Sequence, residues 1–490
     1  MIIKYMALGF LLVVFQISVF AIDIQKDLMV DYRMDECYWL GGANGVTDDV
    51  KDSSGNIING TSRNRADNTE ADSKICRAGD FVNTYSDPKQ SDAVYFPTEN
   101  IDNMDIGKTA PFSVSAWIYR GSSDKWMAGV IRVSDETWSD GWGLIHTENS
   151  GKKIDFFVGN YSVRARASLS NNTWTHIVGT YDGNKIRIYK NGKFIRSKNQ
   201  KSYVPASHAV MIGDDVSGNS LDDRWQGKLD EVKIWGRVLS ASEIDTIYKN
   251  ESQKLNYDGS TRSCKTCDNA VISAKSWELV GIPADNRGKT VAEVFTMSGT
   301  YGTDWRVYRR DYSDTNNSSK NTYLAKTDLT EFGKAYWLGS AKNDQWDVSS
   351  LPEVTYDSHP DCVASKCVEI DLVPVSLDSN ATPPDDLLGT GPYRNHFSGF
   401  VGLKKPVDWA DCRFMIDDVA YTPKEAEDNN FASRQVWLYN PNESGANNNG
   451  YTTCADNSPG GCKLVPFKGF SVELHGPTKN KTVKLLIPQE

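Results

Sequence analysis

The chain has 490 residues, a formal net charge of −10, and 22 Tyr with 14 Trp. An acidic balance that no Lys/Arg cluster offsets argues against nucleic acid as the partner, and the length predicts two or three domains. The aromatic load is heavy for so few Leu, so part fills cores and part is available as flat faces for sugar rings.

Residues 1–21 carry one Lys, an apolar run from Tyr5 and the ending Val19-Phe20-Ala21. This predicts a cleaved secretory signal peptide, with an uncleaved anchor as the alternative. No other long apolar run follows, so the mature chain is expected without a transmembrane segment, in the periplasm, at the cell surface or outside the cell. Most of the nine cysteines are then expected in disulfides. Cys37 and Cys76, alone in the first half, are expected to pair, and Cys362–Cys367 and Cys454–Cys462 suit local bridges. Cys264 and Cys267 form a tight disulfide or pair elsewhere, with Cys412 as the odd one. A zinc site from Cys264, Cys267, Cys362 and Cys367 is the less favoured use of those thiols.

A first strand is predicted around Leu28–Met34, then a loop-rich stretch from Cys37 to Gly79 with turn signals at Gly41-Gly42, Asp52–Asn56 and Asn59-Gly60. Phe112–Tyr119, Trp142–His146 and Ile154–Val158 are predicted strands. Thr173–Gly192 alternates, turns at Asp182-Gly183, alternates again and turns at Asn191-Gly192. That pattern predicts back-to-back antiparallel hairpins, the glycines supplying positive φ. Ser240-Ala-Ser-Glu243 is a capping box opening a helix through about Tyr248. The polar stretch 251–263 is the expected linker.

Residues 264–490 are expected to form a second, β-rich, disulfide-bearing region, with a degenerate tandem repeat over 264–345 and 390–490. Each copy has an apolar strand ending in Pro, an aromatic strand and a Gly-led closing strand. Trp277–Pro283, Trp305–Tyr308 and Gly333–Leu338 make the first; Phe400–Pro406, Val436–Tyr439 and Gly469–Leu474 the second. The alternative is two unrelated β segments with common turn chemistry.

The stretch Trp174–Gly192, with its Trp-x-His-apolar, Tyr-Asp-Gly and Tyr-x-Asn-Gly elements, resembles the laminin-G-like, concanavalin A-like jelly-roll family. Trp225–Ser240 is similar to that family's last strand and closing helix. The resemblance implies an all-β class, with a jelly-roll β-sandwich over 22–250. Cys37–Val46, Asp52–Asn56 and Ile75–Phe81 look like the lead-in of bacterial exported jelly-roll proteins, including ones linked to mannose-sensitive haemagglutinin pili. A Cys37–Cys76 staple there, closing about 40 residues, would contribute roughly 3–4 kcal/mol. The C-terminal half only weakly resembles β modules of bacterial surface proteins.

Because the fold also hosts glycanases, catalytic pairs were sought. Glu243-Ile-Asp245 falls in the capped helix, and Glu369-Ile-Asp371 lies outside the jelly roll with Pro374 where a third acid is needed. Arg287–Thr290 ends like a phosphate loop, but Pro283 stands at the first Gly position. No G-x-S-x-G or H-E-x-x-H motif occurs, and His176 is expected to be a structural strand histidine. The expectation is therefore no enzymatic activity.

The resemblance also implies calcium, joining an N-terminal loop to the final strand or sitting at the sugar-binding rim. Asp52, Asn56 and Asp230 are the candidate ligands, with Asp214-Asp215 and Asp222-Asp223 as a second acidic group; Asx turns and backbone hydrogen bonds are their structural alternative. Trp126, Trp138, Trp142 and Trp225, in or beside predicted loops, are the candidate sugar platform. The expected function is exported, non-catalytic binding of a glycan or surface ligand in adhesion, with an envelope protein as a further candidate partner. A secreted glycoside hydrolase and a structural envelope component are the competitors.

Overall fold

The computed structural model describes residues 23–43, 47–83, 91–96, 111–121, 128–133, 139–147, 152–201, 209–214 and 224–265. Beyond these it describes 267, 269–272, 274–313, 318–363, 366–372, 393–399, 405–439, 451–458, 461–478 and 481–488. Trp126, Trp138, Asp215, Asp222, Asp223 and the predicted signal peptide lie outside the described residues.

The strands of the N-terminal half are β1 (Leu28–Tyr32), β2 (Thr61–Arg63), β3 (Asp67–Thr69), β4 (Ala78–Phe81), β5 (Ala93–Phe96), β6 (Phe112–Arg120), β7 (Gly129–Val133) and β8 (Trp142–Thr147). They continue as β9 (Lys153–Val158), β10 (Arg164–Ser168), β11 (Thr175–Tyr181), β12 (Lys185–Lys190), β13 (Lys193–Asn199), β14 (Val210–Ile212) and β15 (Gly227–Trp235). The first sheet is ordered β13-β12-β11-β6-β15-β4-β3, with β1 also paired to β15; the second is β10-β9-β8-β7-β14-β5-β2. Every pairing within them is antiparallel. This is the jelly-roll sandwich that the family resemblance implies, and it contains the hairpins that the alternation predicts.

The sheets face each other because each strand turns alternate apolar side chains inward. Val114, Ala116 and Ile118 of β6, Ile186 and Ile188 of β12, Leu144 of β8 and Phe156 of β9 share one buried cluster. Gly179 of β11 is required by that closeness, since a Cβ there would lie 2.4 Å from the Phe156 ring. At the predicted turns Gly183 and Gly192 take φ of +89° and +76°, which only glycine adopts freely.

Helix α1 (Ala241–Ser252) starts at the Ser240–Glu243 capping box. Its Ile244 and Ile247 pack with Val178, Tyr189 and Trp235, on the opposite side of the first sheet from the core. The helix runs a turn beyond Tyr248, and the stretch expected to be a linker is instead a strap on the sandwich. Tyr257 is buried in the helix cluster, and Arg262 pairs with Asp35 at 2.7 Å and Glu231 at 2.6 Å. A polar composition suggested solvent; here the polar groups satisfy one another.

The disulfides correct the expected pairing. Cys37 bonds Cys267 and Cys76 bonds Cys264, across separations of 230 and 188 residues. Spacing favoured the short Cys37–Cys76 loop, but the strap carries the C-x-x-C pair to the start of the sandwich. Cys362–Cys367 and Cys454–Cys462 are local disulfides, and Cys412 is a buried free thiol. The thiols of the alternative zinc site are all consumed in these bonds.

In the C-terminal half two four-stranded sheets share one connectivity. Strands Ser276–Val280, Trp305–Ser313, Ser318–Tyr323 and Tyr336–Ser340 are ordered first–fourth–second–third, as are Tyr393–Gly399, Ala432–Tyr439, Tyr451–Ala455 and Gly469–His475. In both copies a flanking pair closes the unit, Asn269–Ile272 with Asp344–Asp347 and Lys366–Leu372 with Val483–Pro488. A short helix with a capping box, Val291–Val294 or Pro423–Asp428, follows the first strand in each. The second copy's first strand is Tyr393–Gly399, upstream of the Phe400–Pro406 segment expected from sequence. Each copy centres on its own core, with Phe467 of the second packed into that of the first.

Candidate functional site

The face of the second sheet turned away from the core carries one cross-strand row. Arg164 of β10 is opposite Phe157, which is opposite Gly143, then Arg132, Met211 and Tyr95. Period two dictates this. Ile154, Phe156 and Val158 of β9 enter the core, so Asp155 and Phe157 point outward. Gly143 makes the row passable for its neighbours: a Cβ would stand 2.9 Å from both the Arg132 Cβ and the Phe157 ring. The centre of the row is buried, and its ends are partly exposed. At one end the Arg63 guanidinium sits 4.0 Å over the Tyr95 ring.

The other end is organised around Asp155. Arg166 donates to both its carboxylate oxygens at 2.6 Å, the Tyr161 hydroxyl donates at 2.9 Å, and Arg164 lies 3.4 Å away. Asp155 is fully buried, whereas Arg164 and Arg166 keep about a third and a quarter of their side-chain surface, at 35% and 26%. The Arg164 guanidinium lies 4.6 Å from the Tyr161 ring centre. Burial first, then the Asp155 charge and hydrogen bond, raise the Tyr161 hydroxyl above its ordinary pKa, keeping it a donor. The bond to Asp155 raises the Arg166 pKa, against the opposing effect of its partial burial. A carboxylate gripped on both oxygens is poised to orient guanidinium groups rather than to attack or trade protons.

The sequence-predicted residues fall elsewhere. Trp142 and Trp225 are fully buried in the sandwich core, Trp142 5.2 Å from Phe112, so neither forms a sugar platform. Period two placed Trp142 on one face without saying which face was inner. Asp52 accepts from the amides of Asp31, Ser54 and Ile58, and the Asn56 amide donates to the carbonyls of Leu28 and Met29. Asp230, buried in β15, accepts from the amides of Ile75 and Glu231. Oxygens facing N–H donors are poorly placed to hold a cation, so these three do not fit a calcium site as a set. Among the described residues no cluster of three or more His, Cys, Asp or Glu side chains could hold a metal. Asp214 is buried.

Beneath α1 lies a buried ionic cluster that sequence reasoning missed. Lys233 Nζ meets Glu231 at 2.5 Å, Glu251 at 2.9 Å and Asp31 at 3.4 Å, all without solvent exposure. Burial alone would lower the Lys233 pKa; the carboxylates of Glu231, Glu251 and Asp31 override it and raise it. His176 Nε2 is 2.8 Å from the Ser115 hydroxyl, and the Glu251 carboxylate also accepts from Trp117 Nε1 at 2.7 Å. Burial, then Lys233 and Lys74, push the His176 pKa down to about 3, so the ring is neutral and structural. The signal was in the sequence only as charged residues at the β15 positions that face α1.

The near-miss carboxylates also have partners. Glu243 caps α1 and pairs with Arg237, and Glu369 pairs with Lys484 on the neighbouring strand. Thr290 caps a single four-residue turn.

The two sheets define a jelly-roll β-sandwich. Residues 88–245 match the family model of the concanavalin A-like lectin/glucanases superfamily. Among solved structures, domain 4 of AbnA, a GH43 extracellular arabinanase from Geobacillus stearothermophilus in complex with arabinotriose, is similar at 18% identity. The likeness covers 45% of this chain and 97% of that one, at a TM-score of 0.34. The binding domain of Paraclostridial Mosquitocidal Protein 1 is similar at 13% identity, over 77% and 76% of the two chains, at a TM-score of 0.34. A Ruminococcus gnavus IT-sialidase CBM40 bound to α2,3-sialyllactose is similar at 12% identity, over 31% and 90%, at a TM-score of 0.27. No curated protein matches the chain. Four disulfides fit an exported protein, and no helix of the described residues is long and apolar enough to cross a membrane.

Proposed function

We propose that this is an exported, non-catalytic glycan-binding protein of the adhesion type, which holds sugar at the β9–β10 edge of its second sheet. The observation that carries the reading is the Tyr161–Arg164–Arg166 group anchored on buried Asp155. An aromatic ring can take the apolar face of a sugar while fixed guanidinium N–H groups donate to its hydroxyls. Prior anchoring reduces the ordering cost of binding. The absence of catalysis is supported by the engagement of Asp155 on both oxygens.

The test is a glycan array with the exported chain, with and without calcium, beside Tyr161→Ala and Arg166→Ala. Retention on a glycan, reduced at least about tenfold by either substitution while the melting temperature holds within a few degrees, is the expected result. Release of reducing sugar would replace this reading with a glycanase. A blank array with a stable partner in pull-downs would replace it with a structural envelope role. Retention only with calcium would add a cation site to this reading.

A further inference from the structure

We infer that the glycan is acidic, bearing carboxylate, sulfate or phosphate groups, and that it runs along the flank where β9 and β10 meet the β12–β13 hairpin. This rests on the glycan-binding reading and deepens it. The sequence shows no unbroken cationic run, yet residues 151–201 hold eleven Lys and Arg against Asp155 and Asp182 alone. That is a formal +9 within a chain of −10, which leaves −19 on everything else. Alternation hid the concentration; the fold restores it.

β10 is the edge of the second sheet and β13 the edge of the first. At their junction Lys153 is the cross-strand partner of Ser168, and the Ser168 hydroxyl accepts from Lys190 Nζ at 3.3 Å. Two lysines of different sheets thus flank Ser168, one beside it in register and one bonded to its hydroxyl. Along the flank Arg196 and Lys198 of β13 stand opposite Ile188 and Ile186, on the side of that strand facing the second sheet, and both are exposed. Lys153, Arg196 and Lys198 have no ion pair with a described residue. Like charges gathered without counter-charges repel, a cost that an anionic ligand removes.

The form of the array favours a linear polymer over a lipid surface. Cations at alternate strand positions recur about every 6–7 Å in a line. The exposed Phe194 of β13 does not join them, because it lies across from Tyr189, edge-on at 5.7 Å, on the helix side of the sheet. β10 packs against β13 and adds Arg164 and Arg166 to the same flank.

The test measures binding to polygalacturonate, its methyl-esterified form and dextran sulfate across a salt series, beside poly-glutamate and vesicles containing phosphatidylglycerol. The intact chain should bind at least one acidic polysaccharide about tenfold or more tighter than the methyl ester, with affinity falling as salt rises. The substitutions Lys153→Gln, Lys190→Gln, Arg196→Gln and Lys198→Gln together should remove that preference. The exposed pair Arg196→Gln and Lys198→Gln should reduce it severalfold if the quadruple variant does not fold. Equal binding of poly-glutamate, binding of vesicles alone, or a preference unchanged in the exposed pair overturns the inference. Retention of neutral glycans only sinks this inference and leaves the glycan-binding reading standing, whereas failure on every glycan sinks both.

Discussion

The two halves of the molecule solve the same problem differently. The N-terminal sandwich closes fifteen described strands around one continuous core, with a buried ionic cluster and a strap on its outer side. The C-terminal half repeats one small unit; each copy centres on its own core, and both local disulfides lie in or beside the second. A large sheet pair can shelter charge far from water; a small unit cannot, and its ion pairs, such as Lys484–Glu369 and Lys481–Asp417, stay partly exposed. The difference shows where covalent and electrostatic investment goes once a core is large enough to bury it.

The largest expected effect separates the halves by their disulfides. Replacing Cys37, Cys76, Cys264 and Cys267 by Ser should destabilise the sandwich by about 5 kcal/mol, because the loops closed are very long. Replacing Cys454 and Cys462 should cost about 2–3 kcal/mol. Denaturant melts of the two variants would measure the ratio; equal losses would break the comparison.

Next comes Lys233→Ala, which leaves Glu231, Glu251 and Asp31 buried without their cation. A loss of about 3–5 kcal/mol is expected, with α1 loosening first. Hydrogen exchange should show this at Ile244 and Ile247, while Lys484→Ala in the second half should change stability by less than about 1 kcal/mol.

The smallest effect concerns pH. The His176 pKa is depressed to about 3 by burial and by Lys233 and Lys74, so the folded state binds fewer protons than the unfolded one below the usual histidine range. Its contribution is complete above about pH 6.5 and is lost as pH falls toward about 3. Asp35, raised to about 6 by burial and by Glu231 against the pull of Arg262, works in the opposite sense. Its contribution is complete below about pH 4 and fades as pH rises through about 6. His176→Phe should therefore flatten the acid limb of the stability curve by about 1–3 kcal/mol. An unchanged limb would show that other groups set it.

Much of the sandwich was legible because its signals are local. The Asp182-Gly183 and Asn191-Gly192 turns and the period-two runs beside them fix β11, β12 and β13 within a residue or two. The capping box at Ser240 fixed the start of α1, but its end depended on Glu251, whose burial is explained by Lys233 and Trp117 far away in sequence. Non-local partners likewise decided the fate of Cys37 and Cys76. Trp142 shows a subtler limit. Alternation separates the two faces of a strand, yet only the opposing sheet decides which face is wet, and the group on Asp155 occupies the face that the tryptophan does not. The candidate ligands for the calcium that the family resemblance implies were placed on oxygen-rich loops, and at Asp52 those oxygens accept from the amides of Asp31 and Ser54.

The strap that crosses from Lys254 to Cys267 carries a consequence for biogenesis. Cys37 and Cys76 meet their partners only after the chain has been delivered through Cys264 and Cys267. Until then both remain available to oxidants or to each other, and a product truncated near residue 250 would emerge with two unmatched sulfurs. The sandwich is thus sealed by the first residues of the segment that follows it, so its covalent maturation reports that synthesis has passed beyond its own sequence.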